Sequence, residues 1–154
     1  MAYVSGLRSP HAKVGRLVYF GRMLDKIRLH AAGKLPAEYQ ANLGDRGVPT
    51  MFDARCCRFL GVAYADLATR TLAGGSDDEI LAWAHSTGTA RTDEECEIWS
   101  TFMLKRGWRD AATPMVQQRA QQFGLTEKRI ETMFDLLDWD EGRDPAAERA
   151  AAGL

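Results

Sequence analysis

Cysteine is scarce, with three in 154 residues, and the three are badly placed for bridging, since Cys56 and Cys57 are adjacent and Cys96 stands apart. Neighbouring cysteines close only a strained ring, so a disulfide scaffold is excluded and reduced thiols are expected. Net charge is almost absent, at -1. A nucleic-acid binder normally carries a basic excess or a basic stripe with aromatic platforms, so this balance argues against that class of partner. No apolar run is long enough to cross a bilayer, and the opening "MAYVSGLRSPHAKVG" has no apolar core of a secretory signal. A cytoplasmic protein without a membrane partner is therefore expected.

The chemistry-bearing signatures that are missing narrow the field further. His11, His30 and His85 are scattered without metal-ligand spacing, so no metal site is expected. Neither a Walker loop nor a G-x-G-x-x-G turn occurs, and no cofactor is expected. The paired thiols Cys56 and Cys57 have no histidine in a recognisable partner motif, and buried free cysteine is a common core residue. Trp83, Trp99, Trp108 and Trp139 fall where core packing is the default, although Trp99 beside a charged pocket would be able to stack a ligand.

What remains is an ordinary globular composition, 45% apolar and 27% charged, in a chain of one-domain length. Apolar residues at Leu17, Phe20, Leu24, Ile27 and Ala31 repeat at three-four spacing, which predicts a helix from about Leu17 to Ala32 that Gly33 stops and Pro36 keeps from resuming. "LPAEYQANLGDRGVPT" reads as a surface loop. Phe52, Cys56, Phe59 and Leu60 give the next helix its stripe, followed by a short one at "YADLATRTLA". Ser76 with Glu79 and Thr92 with Glu95 are capping boxes that open two more helices. The last two are expected at "PMVQQRAQQFG" and at "TEKRIETMFDLLD", the latter capped by Thr126. With no strand alternation and no hairpin turn in view, the fold class is all-α, a compact single domain over 1–144 of about six short helices, with 145–154 a frayed or disordered tail.

The first helix poses the functional question, because "GRMLDKIRLH" sets Arg22, Lys26 and Arg28 around a single acid, Asp25. On a helical wheel Arg28 lies beside the apolar stripe and within reach of Asp25, while Arg22 and Lys26 share the far side with Val18, Tyr19 and Leu29. Such a helix is largely surrounded, and a buried cation must be paired. In the structural reading Asp25 pairs with Arg28, and Arg22 and Lys26 are solvated or find carboxylates on neighbouring helices. In the functional reading the cations converge on a pocket for an anion. Charge is also polarised along the chain: residues 1–35 hold seven cations against Asp25, and 131–144 hold six acids against Arg143. The C-terminal helix is thus invited to dock on the first.

The string "LRSPHAKVGRLVYFGRMLDKIRLHAAG" resembles the opening of a bacterial family of small helical proteins that carry a domain of unknown function, with LRSP and R-M-x-D-K-x-R motifs. "EYQANL", "FDARCCRFLGV" and "MFDLLDWDEGR" are similar to its later segments, so the likeness spans nearly the whole chain. It departs in the longer loop, which has no histidine after Tyr39, and at Cys56, where the pattern carries an aromatic. The resemblance implies a stand-alone cytosolic helical domain and supplies no reaction.

Two functions follow as expectations. The first is a site that binds, and as an option converts, a small anionic metabolite: Arg22, Lys26 and Arg28 supply the cations, Arg8 closes the site, Asp25 orients them or acts as catalytic base, and Tyr39, Asn42 and Asp53 line it. On this reading Arg22→Ala abolishes binding and leaves the melting temperature nearly intact. The second is a non-enzymatic interaction domain, pairing with another protein or with a second copy as a homo-oligomer through an exposed apolar patch, its cations being structural.

Overall fold

The computed structural model describes residues 3–44 and 49–154. The first helix, α1, spans Phe20–Ala31, and every residue from Phe20 to Ile27 is buried, charged ones included, while Ala31 at its end is exposed. The helix begins later than its apolar spacing suggests because Leu17 and Val18 do another job. They form strand β2 (Leu17–Val18), antiparallel to β1 (Lys13–Val14), with Val14 opposite Leu17 and Lys13 opposite Val18. Gly15, at φ 55°, supplies the positive φ that a two-residue hairpin turn needs. This hairpin corrects the all-α expectation. Strands of two residues are too short to show an alternation, and Leu17 happens to fall in register with the helix that follows.

Tyr19 joins hairpin to helix with φ 67° and ψ -29°. A left-handed backbone at a bulky residue costs about 1–3 kcal/mol and persists only where its surroundings impose it. Here they do: the ring lies edge-on to Phe52 and stacked on Phe134, at centroid distances of 5.3 and 6.0 Å.

Eight further helices follow: α2 (Ala37–Gln40), α3 (Phe52–Leu60), α4 (Tyr64–Leu72), α5 (Asp77–Thr87), α6 (Asp93–Lys105), α7 (Thr113–Gln122), α8 (Met133–Asp140) and α9 (Pro145–Ala151). Nine helices among the described residues thus replace the six or so expected, since one- and two-turn pieces such as α2 and α9 leave no readable period. The reading of "LPAEYQANLGDRGVPT" as a surface loop needs a correction too, because Leu35, Tyr39 and Leu43 are buried in a satellite core with Val4 and Leu7. Residues 45–48 of that loop lie outside the described residues. Capping boxes at Ser76–Glu79 and Thr92–Glu95 open α5 and α6. The helix expected from Thr126 starts instead at a third box, Thr132 with Asp135.

α1 packs on α4 and the hairpin, and β2 on α6. Phe20, Met23 and Leu24 form the main core with Leu60, Leu67, Ile80, Met103 and Phe134. Full burial of such side chains stabilises the fold by about 1.5–3 kcal/mol each. α7 and α8 enclose a smaller core of Val116, Met133 and Leu136, against which Phe52 packs. Gly88 lets the end of α5 cross the end of α3, where the Thr89 amide donates to the Leu60 carbonyl at 2.8 Å. No helix among the described residues is long and apolar enough to cross a membrane.

Candidate functional site

The cations of α1 divide into two groups on opposite sides of the helix. On one side Asp25 is taken by Arg8, which donates from Nε and Nη2 at 2.7 Å each and from its backbone amide at 3.1 Å. Arg8 also reaches Asp77 at 2.7 Å, and Arg28 joins the same carboxylate at 2.8 Å, leaving only 3.8 Å contact with Asp25. The expected Asp25–Arg28 pair is therefore secondary to Arg8–Asp25. Burial would raise the Asp77 carboxyl, but the two guanidiniums more than offset it and hold it below its usual range. Gly21 leaves room for this arrangement, because a methyl there would sit 2.9 Å from the Arg8 guanidinium carbon.

On the other side Arg22 and Lys26 are 2% and 3% exposed, and each finds a carboxylate from a distant segment. Arg22 donates to both oxygens of Glu141, just past the end of α8, and to the Arg8 carbonyl at 2.8 Å. Arg143 and the Tyr39 hydroxyl donate to the same Glu141 carboxylate. Burial alone would raise the Glu141 carboxyl, yet Arg22 and Arg143 hold it below its usual range. Lys26 Nζ lies 2.5 Å from Asp53 Oδ1 and 3.1 Å from the Tyr19 hydroxyl, which itself donates to Asp53 at 2.8 Å. Asp53 is fully buried and its second oxygen accepts the Gly44 amide at 2.9 Å. Burial lowers the Lys26 ammonium from its ordinary value in spite of Asp53, and it raises the Tyr19 phenol, which stays protonated.

Arg22 and Lys26 form part of the wall of a cavity of about 430 Å³, which also meets Tyr19, Tyr39, Asn42, Thr50, Phe52 and, from α3, Arg55. Arg106 at the end of α6 and Arg119 on α7 complete its positive side, while Met51, Met115, Met133 and Leu137 give it an apolar one. Among the described residues, five of those lining it are cationic and none is acidic. The carboxylates that neutralise Arg22 and Lys26 stand behind them. Arg106 is paired with Asp110 at 2.8 Å, whereas Arg55 and Arg119 have no carboxylate partner among the described residues. Burial, then the neighbouring Arg106 and Arg58, push the Arg55 guanidinium below its ordinary value.

Of the residues singled out in the sequence, the structure thus brings Arg22, Lys26, Tyr39 and Asn42 to one cavity and sets Asp53 directly beneath it. Arg8, Asp25 and Arg28 do not line it. Asp25 is held by Arg8, so the base nearest the cavity's amine is Asp53. Arg55, Arg106, Arg119 and Tyr19 were not legible as site residues, since each cation stands alone in its own segment and reads as a solvated face. Trp99 stacks on Phe59 at 5.0 Å and is not in the cavity wall.

A second buried polar group ties the N-terminal segment to α8. His11 Nδ1 is 2.7 Å from Asp138 Oδ2, to which the Ser9 hydroxyl donates at 2.9 Å. Asp138 Oδ1 has no hydrogen-bond partner among the described residues. All three side chains are sealed from solvent, and the serine bonds the aspartate directly, so the geometry is that of a clamp and not of a nucleophile relayed through histidine.

The chain belongs to the family described as a domain of unknown function, DUF5069, whose model matches residues 4–143. No curated protein matches it.

Proposed function

We propose that this DUF5069 member binds a small organic anion with an apolar body in the cavity between α1, α3, α7 and α8. The observation that carries this reading is the lining itself, five cations and no acid among the described residues around about 430 Å³, a volume in the range of small-molecule pockets. Two of those cations, Arg55 and Arg119, lack a counter-charge among the described residues. An anion would supply it in a site where water is partly excluded and a charged hydrogen bond is worth more than in bulk. Met115, Met133 and Leu137 would meet the ligand's apolar part.

The interaction-domain reading draws on the exposed apolar side chains Ile98 and Phe102 of α6 and on Trp108. It leaves the convergence of five cations on one cavity without a role and stands second.

The test is thermal unfolding of the protein with a panel of carboxylates and phosphate esters. A ligand at about one hundred times its dissociation constant adds about 2.7 kcal/mol to stability. Arg119→Ala and Arg55→Ala are expected to lose that shift while their own ligand-free stability changes by no more than about 0.5 kcal/mol, as for other surface substitutions. Arg22→Ala is the wrong probe, since it strands Glu141 in the interior. Shifts that survive in both variants, or no shift from any anion, would refute the proposal.

A further inference from the structure

Among the described residues Lys26 is the one amine in the cavity wall, and its nitrogen is set between two groups able to move a proton. Its nitrogen is reached by a phenol at 3.1 Å and a carboxylate at 2.5 Å, and the phenol belongs to Tyr19, held in a left-handed backbone conformation at that position. The amine thus stands where a proton acceptor and a hydroxyl able to relay a proton meet the cavity wall. We propose that Lys26 forms a protonated imine with the carbonyl carbon of an oxo acid bound in this cavity, an inference that rests on the anion-binding reading above.

The chemistry closes on the groups present. The ammonium gives one proton to Asp53, and the nitrogen lone pair then bonds to the carbonyl carbon as the C=O pair moves onto oxygen. Tyr19, whose hydroxyl touches both Lys26 and Asp53, relays a proton from nitrogen to that oxygen. The resulting hydroxyl takes the proton held on Asp53 and leaves as water, and the nitrogen pair forms the C=N bond. The net change is ammonium plus carbonyl to protonated imine plus water, with no gain or loss of electrons, and Asp53 again faces a cation. The depressed basicity of the buried amine lowers the cost of the first step. The arginines of the wall hold the acid group so that the carbonyl faces the floor.

The experiment is reductive trapping of the full chain with phenylpyruvate and cyanoborohydride, followed by peptide mapping, with phenylpropionate as the same anion lacking a carbonyl. The expected result is one reduced adduct at Lys26, slowed by excess phenylpropionate, and thermal shifts from both compounds without the reductant. The Lys26→Arg variant should give no adduct, because a guanidinium does not form the imine that the reductant traps. Because the mapping is done on wild type, a variant that fails to fold does not blunt the test. Thermal shifts with no adduct on Lys26 overturn the imine and leave the anion site standing. Adducts spread over Lys13, Lys34, Lys105 and Lys128 overturn it as well, and no shift and no adduct removes both readings.

Discussion

Glu141 is 1% exposed and receives Arg22, Arg143 and Tyr39 together. Glu141→Ala is therefore expected to cost about 3–5 kcal/mol, the usual penalty for breaking one side of a buried pair, as read by urea denaturation. The double change Arg22→Met with Glu141→Met should cost far less, because no buried charge is left unmatched. At this scale the sequence was informative about which cations are special and poor about their partners. The wheel set Arg22 and Lys26 apart from Arg28, and the polarised charge pointed towards the acids of residues 131–144, where Glu141 lies. Which acid would meet which cation depends on how the chain turns back, and nothing local encodes that. The same holds for Arg119, whose neighbours Gln117, Gln118 and Gln121 give it the look of any solvated helix residue.

Among the elements, the helix boundaries that carry a side-chain device were readable and those made by packing were not. Ser76 with Glu79 and Thr92 with Glu95 satisfy amides locally, so the pattern and the structure agree. At the other end of the chain Thr126 offers the same capping residue, yet Thr132 is used, where Asp135 closes the box and Met133 and Leu136 reach the α7–α8 core. The hairpin escaped because its only cue is Gly15. A close crossing escaped for a similar reason: Gly88, at φ -96° and ψ -119°, lies outside the regions that L side chains favour, and a methyl group there would also run into the Leu60 carbonyl oxygen of α3. Gly88→Ala should thus destabilise by about 1–3 kcal/mol through overpacking, measured by denaturant midpoint. Gly74→Ala is a useful contrast, since its Cβ meets nothing within 4 Å and only its φ of 94° is strained.

For the molecule as a whole, the buried ion pairs make stability depend on acidity in a defined direction. Glu141 and Asp77 have folded-state pKa values below their unfolded values of 4.5 and 3.8. The folded state then binds fewer protons than the unfolded one in acid, so their contribution is complete above those unfolded values and is lost as pH falls through the folded ones. Melting temperature should accordingly hold from about neutral down to about pH 5 and fall below it. Glu141→Gln is expected to be less stable at neutral pH and to show a shallower acid decline. A decline of unchanged slope in that variant would assign the acid sensitivity to other carboxylates.

The pairing of Arg22 with Glu141 also bears on synthesis. Arg22 is synthesised before its counter-ion Glu141, which follows 119 residues later. At about 5–20 residues per second, a nascent chain carries an unmatched guanidinium on its first helix for some seconds, and Asp53 can neutralise only Lys26 in the meantime. The first helix therefore cannot settle into its final surroundings until Glu141 has been synthesised, and folding of this domain should be a concerted event and not a progressive one.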